Sequence, residues 1–190
     1  MTIMTNAAVK RVPLDPNWKS VLDCAAPEVF EMMAGTRLTP FVPPAAEPGA
    51  EAVSQEQSGL TAMVGTAGAL CSMTTIRCSS DTAIKLATKM AGDETAKDPN
   101  IVSDAMGELC NMVAGNFKAK LTSLADHCML SVPTVTSGDN YVMQAVEPSE
   151  VLQVAFNFEA SPIYISPNHA LLNAAKSSPA SRSSSSNFTH

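Results

Sequence analysis

The sequence predicts an α+β fold in which a mostly antiparallel sheet carries two long helices packed on one face. Apolar residues recur at helical spacing over two stretches, residues 15–35 and 98–124. Beyond Leu124 the apolar period changes from about 3.6 residues to 2, which is typical of β-strands. Two long helices, a smaller one and several strands indicate a layered domain with its helices on one side of the sheet.

Length and composition predict one folded unit with flexible ends. The 190 residues are 45% apolar and 16% charged, which suffices for a single core. We expect a flexible N-terminal arm over residues 1–14, one domain over residues 15–170 and a serine-rich disordered tail over residues 171–190. Residues 36–58 are rich in proline and lack an apolar pattern, so they predict a long surface loop inside the domain.

Charge and the apolar pattern argue against several classes of partner. The formal net charge is -6 and no basic cluster is present, which disfavours nucleic acid and anionic membranes. No stretch approaches the roughly 18 apolar residues of a membrane span, and the N-terminus lacks a signal-peptide pattern. We therefore expect a soluble cytoplasmic protein that binds a protein or a small molecule.

The five cysteines show neither a C-x2-C pair nor another metal-like spacing. Most lie in apolar periodic segments, which predicts small buried thiols in a reducing compartment. No metal site is assigned to them or to the three scattered histidines.

The first long helix begins at Asp15-Pro16, because proline suits the first turn of a helix. Its apolar stripe ends at Gly35. Pro27 lies inside this stretch and is expected to kink or divide the helix.

A hairpin and a short helix are predicted next. Residues 59–78 contain two β-branched, apolar runs joined by a glycine-containing turn at residues 65–68. Ser80 and Asp81 can cap a short helix that Gly92 closes.

The second long helix has the clearest pattern in the chain. Asp98 and Pro99 mark its start. Apolar side chains then recur on one side, which predicts the buried face: Val102, Met106, Leu109, Cys110, Val113, Phe117, Leu121 and Leu124.

A line of polar residues and one glycine follows the other side of this helix: Asp104, Glu108, Asn111 and Gly115. The simplest interpretation is the solvated face that every surface helix has. Two residues argue for a docking surface instead. Gly115 costs roughly 1 kcal/mol inside a helix relative to alanine, and Asn111 is a poor helix former with no cap to make there.

Strands are predicted for the rest of the domain. Their ranges are residues 128–135, 141–146, 151–159 and 163–165, with a turn at residues 137–140. The alternation is clearest at residues 151–159, which predicts one buried face and one wet or shared face.

The spacing Asp104-x3-Glu108-x2-Asn111, continued by residues 112–116, resembles the signature of the CheC/CheX/FliY family of chemotaxis phosphatases. Pro133, which follows Asn111 by 22 residues, stands close to the position of the family's later proline. The short helix carries no second copy of the signature, as in CheX-like members. The resemblance implies the CheC-like fold and a homodimer.

The resemblance also implies an activity, hydrolysis of the aspartyl phosphate on a phosphorylated CheY-like receiver domain of a response regulator. In this reading Glu108 and Asn111 are catalytic: Asn111 orients the attacking water and Glu108 pairs with a receiver lysine. Gly115 admits the partner closely and Asp104 helps to position the helix or the interface. The resemblance implies no cofactor in this chain, because the receiver supplies Mg²⁺.

Two other functions fit the residues less closely. Relatives of this fold include binding or structural modules without the signature, so an adaptor for a receiver domain or a flagellar switch component is the alternative. A small-molecule-binding domain would need a deep apolar pocket away from the polar line, and no sequence feature points to one.

Overall fold

The computed structural model describes residues 16–42, 58–68, 71–92, 98–121, 128–139 and 150–169. These residues form three helices and eight strands. The helices are α1 (Asn17–Ala34), α2 (Ser80–Ala91) and α3 (Pro99–Lys120). The strands are β1 (Thr39–Pro40), β2 (Ser58–Gly68), β3 (Ser72–Ser79), β4 (Cys128–Leu130), β5 (Thr134–Asp139), β6 (Glu150–Val151), β7 (Val154–Phe158) and β8 (Ser161–His169).

The strands form one sheet in which every described pairing is antiparallel. Its order is β1-β7-β8-β3-β2-β4, with β5 also beside β2 and β6 also beside β8. The helices cover one face of this sheet, where α1, α2 and α3 also pack against one another. The predicted α+β fold, with its antiparallel sheet and helices on one face, is confirmed.

Helix α3 lies at the centre of the helical layer and contacts α1, α2 and the sheet. Asp98 caps its N-terminus by accepting a hydrogen bond from the Asn100 N–H at 2.9 Å, and Pro99 occupies its first turn. The predicted apolar side is buried, because its residues have at most 9% exposure: Val102, Met106, Leu109, Cys110, Val113, Phe117 and Leu121. Leu124 lies outside the described residues.

Helix α1 is one continuous helix, so of the two predicted effects of Pro27, a kink or a division, the division does not occur. Pro27 is itself buried inside the helix. The core contacts of Leu22 and Phe30, both fully buried, hold the helix together on either side of it. Such packing outweighs the roughly 3 kcal/mol that an interior proline costs. The predicted end at Gly35 is confirmed, with a φ of 62°.

The predicted hairpin forms as β2 and β3, but its turn comes later than predicted. Residues 65–68 belong to β2 and pair with β3 or β4. Gly65 exchanges hydrogen bonds with Ser131 there instead of reversing the chain. The short helix is confirmed as α2, capped by Ser79 rather than by Ser80 or Asp81.

The later strands are interrupted where single strands were predicted. Residues 128–135 divide into β4 and β5. Between the last pair of β2 with β4 and the first pair of β2 with β5, two residues of β2 face the three residues 131–133. This one-residue β-bulge contains Pro133, which has no N–H for the ladder. Residues 151–159 are also interrupted, between β6 and β7, but without a bulge, because two residues separate the paired positions on each strand.

The last part of the sheet departs from the prediction in two further ways. Strand β5 continues through most of the predicted turn at residues 137–140. Strand β8 is longer than the predicted residues 163–165. The predicted strand at 141–146, the arm at 1–14, the tail at 171–190 and most of the loop at 36–58 lie outside the described residues.

Gly59 is expected to be essential to the β2–β3 pair. A Cβ at this position would lie 2.8 Å from the carbonyl oxygen of Cys78, a contact with backbone that cannot move aside. Gly59→Ala should therefore lower the free energy of unfolding by about 1–3 kcal/mol, measured by urea denaturation. Gly115→Ala is the control, because its Cβ would find its nearest neighbour at 3.8 Å, and it should be neutral or stabilising. Equal stability of the two variants would contradict the expectation.

Candidate functional site

One face of α3 carries the polar line predicted from the sequence. The structure leaves Asp104 and Glu108 exposed and Asn111 and Gly115 half-buried. The apolar side of the same helix is packed in the core. Backbone and core therefore fix the direction in which these side chains leave the helix.

The two carboxylates of this face have no partner among the described residues. Asp104 and Glu108 make no ion pair or hydrogen bond there, whereas Lys19, Arg37, Lys89 and Lys120 each pair with an acid elsewhere. The two acids stand four residues apart on a helix, where like charges repel by a few tenths of a kcal/mol. A cation brought by a partner would relieve this repulsion.

The segment from β4 to β5 lies against the side of α3 next to this line. A Cβ at Gly107 would lie 3.3 Å from Cβ of Pro133 and 3.5 Å from Cγ2 of Val135. A Cβ at Gly115 would lie 3.8 Å from Cδ1 of Leu130. The two glycines therefore let the sheet edge approach the helix, Gly107 more closely than Gly115.

The same segment runs antiparallel to α3 and passes Asn111. At one end Nζ of Lys118 donates to the carbonyl oxygen of Cys128 at 2.6 Å. At the other end Pro133 packs on Gly107. Asn111, which is half-buried, lies between these two contacts along the helix.

Pro133 thus lies one helical turn before Asn111, although 22 residues separate the two in sequence. In the sequence this proline is distinguished only as part of the family resemblance, and its spacing does not identify Gly107 as its neighbour. A glycine in the middle of a helical pattern was the available signal, since such a residue often marks a close contact.

Asn116 belongs to the packing of the fold and not to the exposed line. Its Nδ2 donates to the carbonyl oxygen of Ala25 and to Oε2 of Glu28, each at 3.1 Å. Lys120 and then Asn116 lower the pKa of Glu28 by hydrogen bonding to its carboxylate. Five residues turn the helix by about 140° relative to Asn111, so the two asparagines face different neighbours.

Cys110, next to Asn111 in sequence, is a buried thiol of the core. Its Sγ lies 3.5 Å from the carbonyl oxygens of Ala62 and Thr74. Burial raises its pKa to about 12, which keeps the thiol protonated and unsuited to nucleophilic attack.

The prediction of small buried thiols holds for three cysteines and fails for two. Cys78, Cys110 and Cys128 are buried, but Cys71 is half-buried and Cys24 is exposed. Cys24 stands on α1, at a position outside the buried stripe of that helix. Across the described ranges, no group of three His, Cys, Asp or Glu side chains is arranged to hold a metal ion. None of the three described helices is long and apolar enough to cross a membrane.

Residues 60–157 match the sequence family described as chemotaxis phosphatase CheX. This region is just over half of the chain and includes α3 and Pro133. The chain belongs to the CheX family. The family predicted from Asp104, Glu108 and Asn111 is therefore confirmed.

Solved structures share the CheX fold with this chain at low sequence identity. CheX from Vibrio vulnificus is 19% identical with a TM-score of 0.67, over 84% of this chain and 100% of that one. A CheC-like superfamily protein from a Shewanella species is 20% identical with a TM-score of 0.67, over 83% and 99%. CheX from Borrelia burgdorferi, in a complex with CheY, BeF3 and Mg²⁺, is 22% identical with a TM-score of 0.64, over 83% and 99%. No curated protein matches the sequence. These similarities confirm the predicted CheC-like fold.

The buried Cys110 thiol should make the CheX domain lose stability in mild alkali. In the unfolded chain this thiol ionises near pH 8.5, but in the folded state its pKa is about 12. The unfolded state then binds fewer protons than the folded state, so the free energy of unfolding falls as pH rises through this window. The fall attributable to one thiol is at most about 1.4 kcal/mol per pH unit.

Urea denaturation of wild type and Cys110→Ala, at several values between about pH 7 and 10, measures this contribution. The wild type should lose stability more steeply than the variant. Parallel pH dependence of the two proteins would contradict the assignment.

Proposed function

We propose that this chain is a cytoplasmic phosphatase that hydrolyses the aspartyl phosphate of a CheY-like receiver domain, in chemotaxis or a related two-component pathway. The observation that carries the proposal is the exposed, unpaired Glu108 with Asn111 on the same face of a core-anchored helix. Membership of the CheX family supports it. So does the related Borrelia burgdorferi protein, which was crystallised with CheY, BeF3 and Mg²⁺. The homodimer implied by the family is part of the proposal.

Asn111 has the chemistry of a group that positions water. Its side-chain amide can donate and accept at once, so it can hold a water in line with the phosphorus while the phosphoryl group leaves the receiver aspartate. The Mg²⁺ that neutralises phosphoryl charge belongs to the receiver, and this chain is proposed to bring no cofactor of its own. Asn111 is half-buried, which restricts its side chain before docking.

Glu108 is proposed to form a charge-assisted hydrogen bond with a lysine of the receiver, which sets the register of the complex. Asp104, one turn earlier, adds negative charge on the same side. Gly115, one turn beyond Asn111, has no side chain that would stand between the helix and the receiver. Each residue thus contributes to docking the amide and to holding it in place.

Asn111→Ala should lower the rate of receiver dephosphorylation about 10²–10³-fold, as the loss of single positioned groups does in other enzymes. The folded state should be little changed, because Asn111 makes no hydrogen bond among the described residues. The measurement is decay of a ³²P-labelled or acetyl-phosphate-loaded receiver, with and without the protein.

Asn116→Ala is the matched control. It removes the contacts with Ala25 and Glu28, so it should lower the free energy of unfolding by about 1–3 kcal/mol. At a temperature where the variant stays folded, its dephosphorylation rate should remain near that of wild type. Full activity of Asn111→Ala would rule out the proposed mechanism, in which the Asn111 amide positions the attacking water. If the wild type binds receivers without speeding their dephosphorylation, the protein is an adaptor.

Glu108→Gln should weaken docking more than it slows chemistry. The neutral amide cannot form an ion pair with the receiver lysine, so KM should rise about tenfold with a smaller change in kcat. The ionic-strength dependence of kcat/KM should also decrease. Asp104→Asn removes the same charge one turn away and serves as the comparison. If both variants have the same effect, the negative charge of this face acts as a whole on the receiver, and Glu108 makes no specific contact.

A further inference from the structure

Asn111 stands between two glycines of α3 and is nevertheless half-buried. Gly107 lies one turn before it and Gly115 one turn after it, at two of the positions whose side chains would be its neighbours on the helix. Neither glycine has a side chain that could cover the amide. A part of the chain other than these two neighbours therefore covers Asn111.

One side chain of the β4–β5 segment approaches each of the two glycines. A Cβ at Gly107 would lie 3.3 Å from Cβ and 3.9 Å from Cγ of Pro133. A Cβ at Gly115 would lie 3.8 Å from Cδ1 of Leu130. Because residues four apart on a helix share a face, with Cβ atoms about 5–6 Å apart, these contacts lie on either side of Asn111. We call Leu130 and Pro133 the apolar clamp.

The apolar clamp is fixed to the sheet. Ser131, which lies within it, donates its N–H to the carbonyl oxygen of Gly65 at 2.8 Å. The N–H of Gly65 in turn donates to Oγ of Ser131 at 2.9 Å. Leu130 pairs with Thr66 of β2, and its side chain packs against the core. The clamp side chains therefore keep a constant distance from α3, whose other side is buried.

The two half-buried asparagines of α3 are restrained in different ways. Asn116 uses its Nδ2 to donate to the carbonyl oxygen of Ala25 and to Oε2 of Glu28. Asn111 makes no hydrogen bond among the described residues. The side chains of the apolar clamp offer neither donors nor acceptors. The oxygen and both N–H groups of the Asn111 amide therefore remain available to a water and a partner.

We propose that Leu130 and Pro133 are positioning residues that hold the Asn111 amide in one orientation without using its hydrogen-bonding groups. The inference rests on the function proposed above, because this orientation serves catalysis only if the amide holds the attacking water. Side chains of a helix lean towards its N-terminus, which directs Asn111 towards the turn where Pro133 packs on Gly107. A displacement of about 1 Å can lower a rate about 10²-fold, so loosening the amide should slow the chemical step.

The test compares Pro133→Ala and Leu130→Ala with two matched controls. Pro162→Ala changes another half-buried proline, which belongs to β8. Leu152→Ala changes another half-buried leucine that packs against the core, between β6 and β7. Leu130→Met retains an apolar side chain of similar volume, so it should behave as wild type in both measurements below.

The first measurement is ¹⁵N relaxation of the Asn111 side-chain amide in the protein alone. Its signal is assigned by its absence in Asn111→Ala, and the Asn116 side-chain amide is the internal reference. In Pro133→Ala and Leu130→Ala the order parameter of the Asn111 amide should fall while that of Asn116 stays unchanged. An Asn111 amide as ordered as in wild type would overturn the inference. Loss of order at both asparagines would also overturn it, because the clamp would then stabilise α3 as a whole.

The second measurement is receiver dephosphorylation under conditions where every variant is folded. Pro133→Ala and Leu130→Ala should lower kcat about tenfold and leave KM within about twofold of wild type, because the docking surface is retained. The controls Pro162→Ala and Leu152→Ala should keep both constants near those of wild type. A change in KM alone would contradict a positioning role.

Failure of the inference is distinguishable from failure of the proposed function. If Asn111→Ala slows dephosphorylation while Pro133→Ala and Leu130→Ala leave kcat unchanged, only the role of the apolar clamp is lost. If Asn111→Ala is as active as wild type, the proposed mechanism fails, and the catalytic role of the clamp fails with it.

Discussion

The burial of one side of α3 is the constraint on which the rest of the structure depends. Leu109, Cys110 and Val113 have no exposed surface, and the helix carrying them contacts α1, α2 and the sheet. The helix cannot rotate about its axis without withdrawing these side chains from the core, at about 1.5–3 kcal/mol for each large one. The opposite side of the helix therefore faces outward in one orientation. The directions of Glu108 and Asn111 are fixed by core residues that no partner touches.

Local patterns in the sequence were enough to predict this helix and the polar line on its other side. The apolar period from Val102 to Phe117 is a property of consecutive residues, so the buried side followed directly from it. The same holds for the hairpin, for α2 and for the end of α1 at Gly35. The polar line became a candidate site because Asn111 and Gly115 are unfavourable in a helix.

Features that depend on distant pairing were not predictable in the same way. The glycines at 65 and 68 resemble a turn in sequence, but Gly68 pairs with β4 and Ser131 completes the hydrogen bonding of Gly65. The bulge at residues 131–133 depends on the register between β2 and two other strands. Pro27 remains inside α1 because of tertiary packing, which the local cost of proline does not reveal. The contact of Pro133 with Gly107 arises only when the sheet edge meets the helix.

The site assembled in this way is incomplete by itself, and its incompleteness bears on specificity. An amide and a carboxylate without a nucleophile can accelerate hydrolysis only where a partner presents the phosphoryl group. Discrimination between receivers must then come from docking, since the chemical groups that Asn111 meets would be similar in each. Rigid surroundings favour such a mechanism. A half-buried amide loses less side-chain freedom on docking than an exposed one, so more of the contact energy is available to hold the water in line.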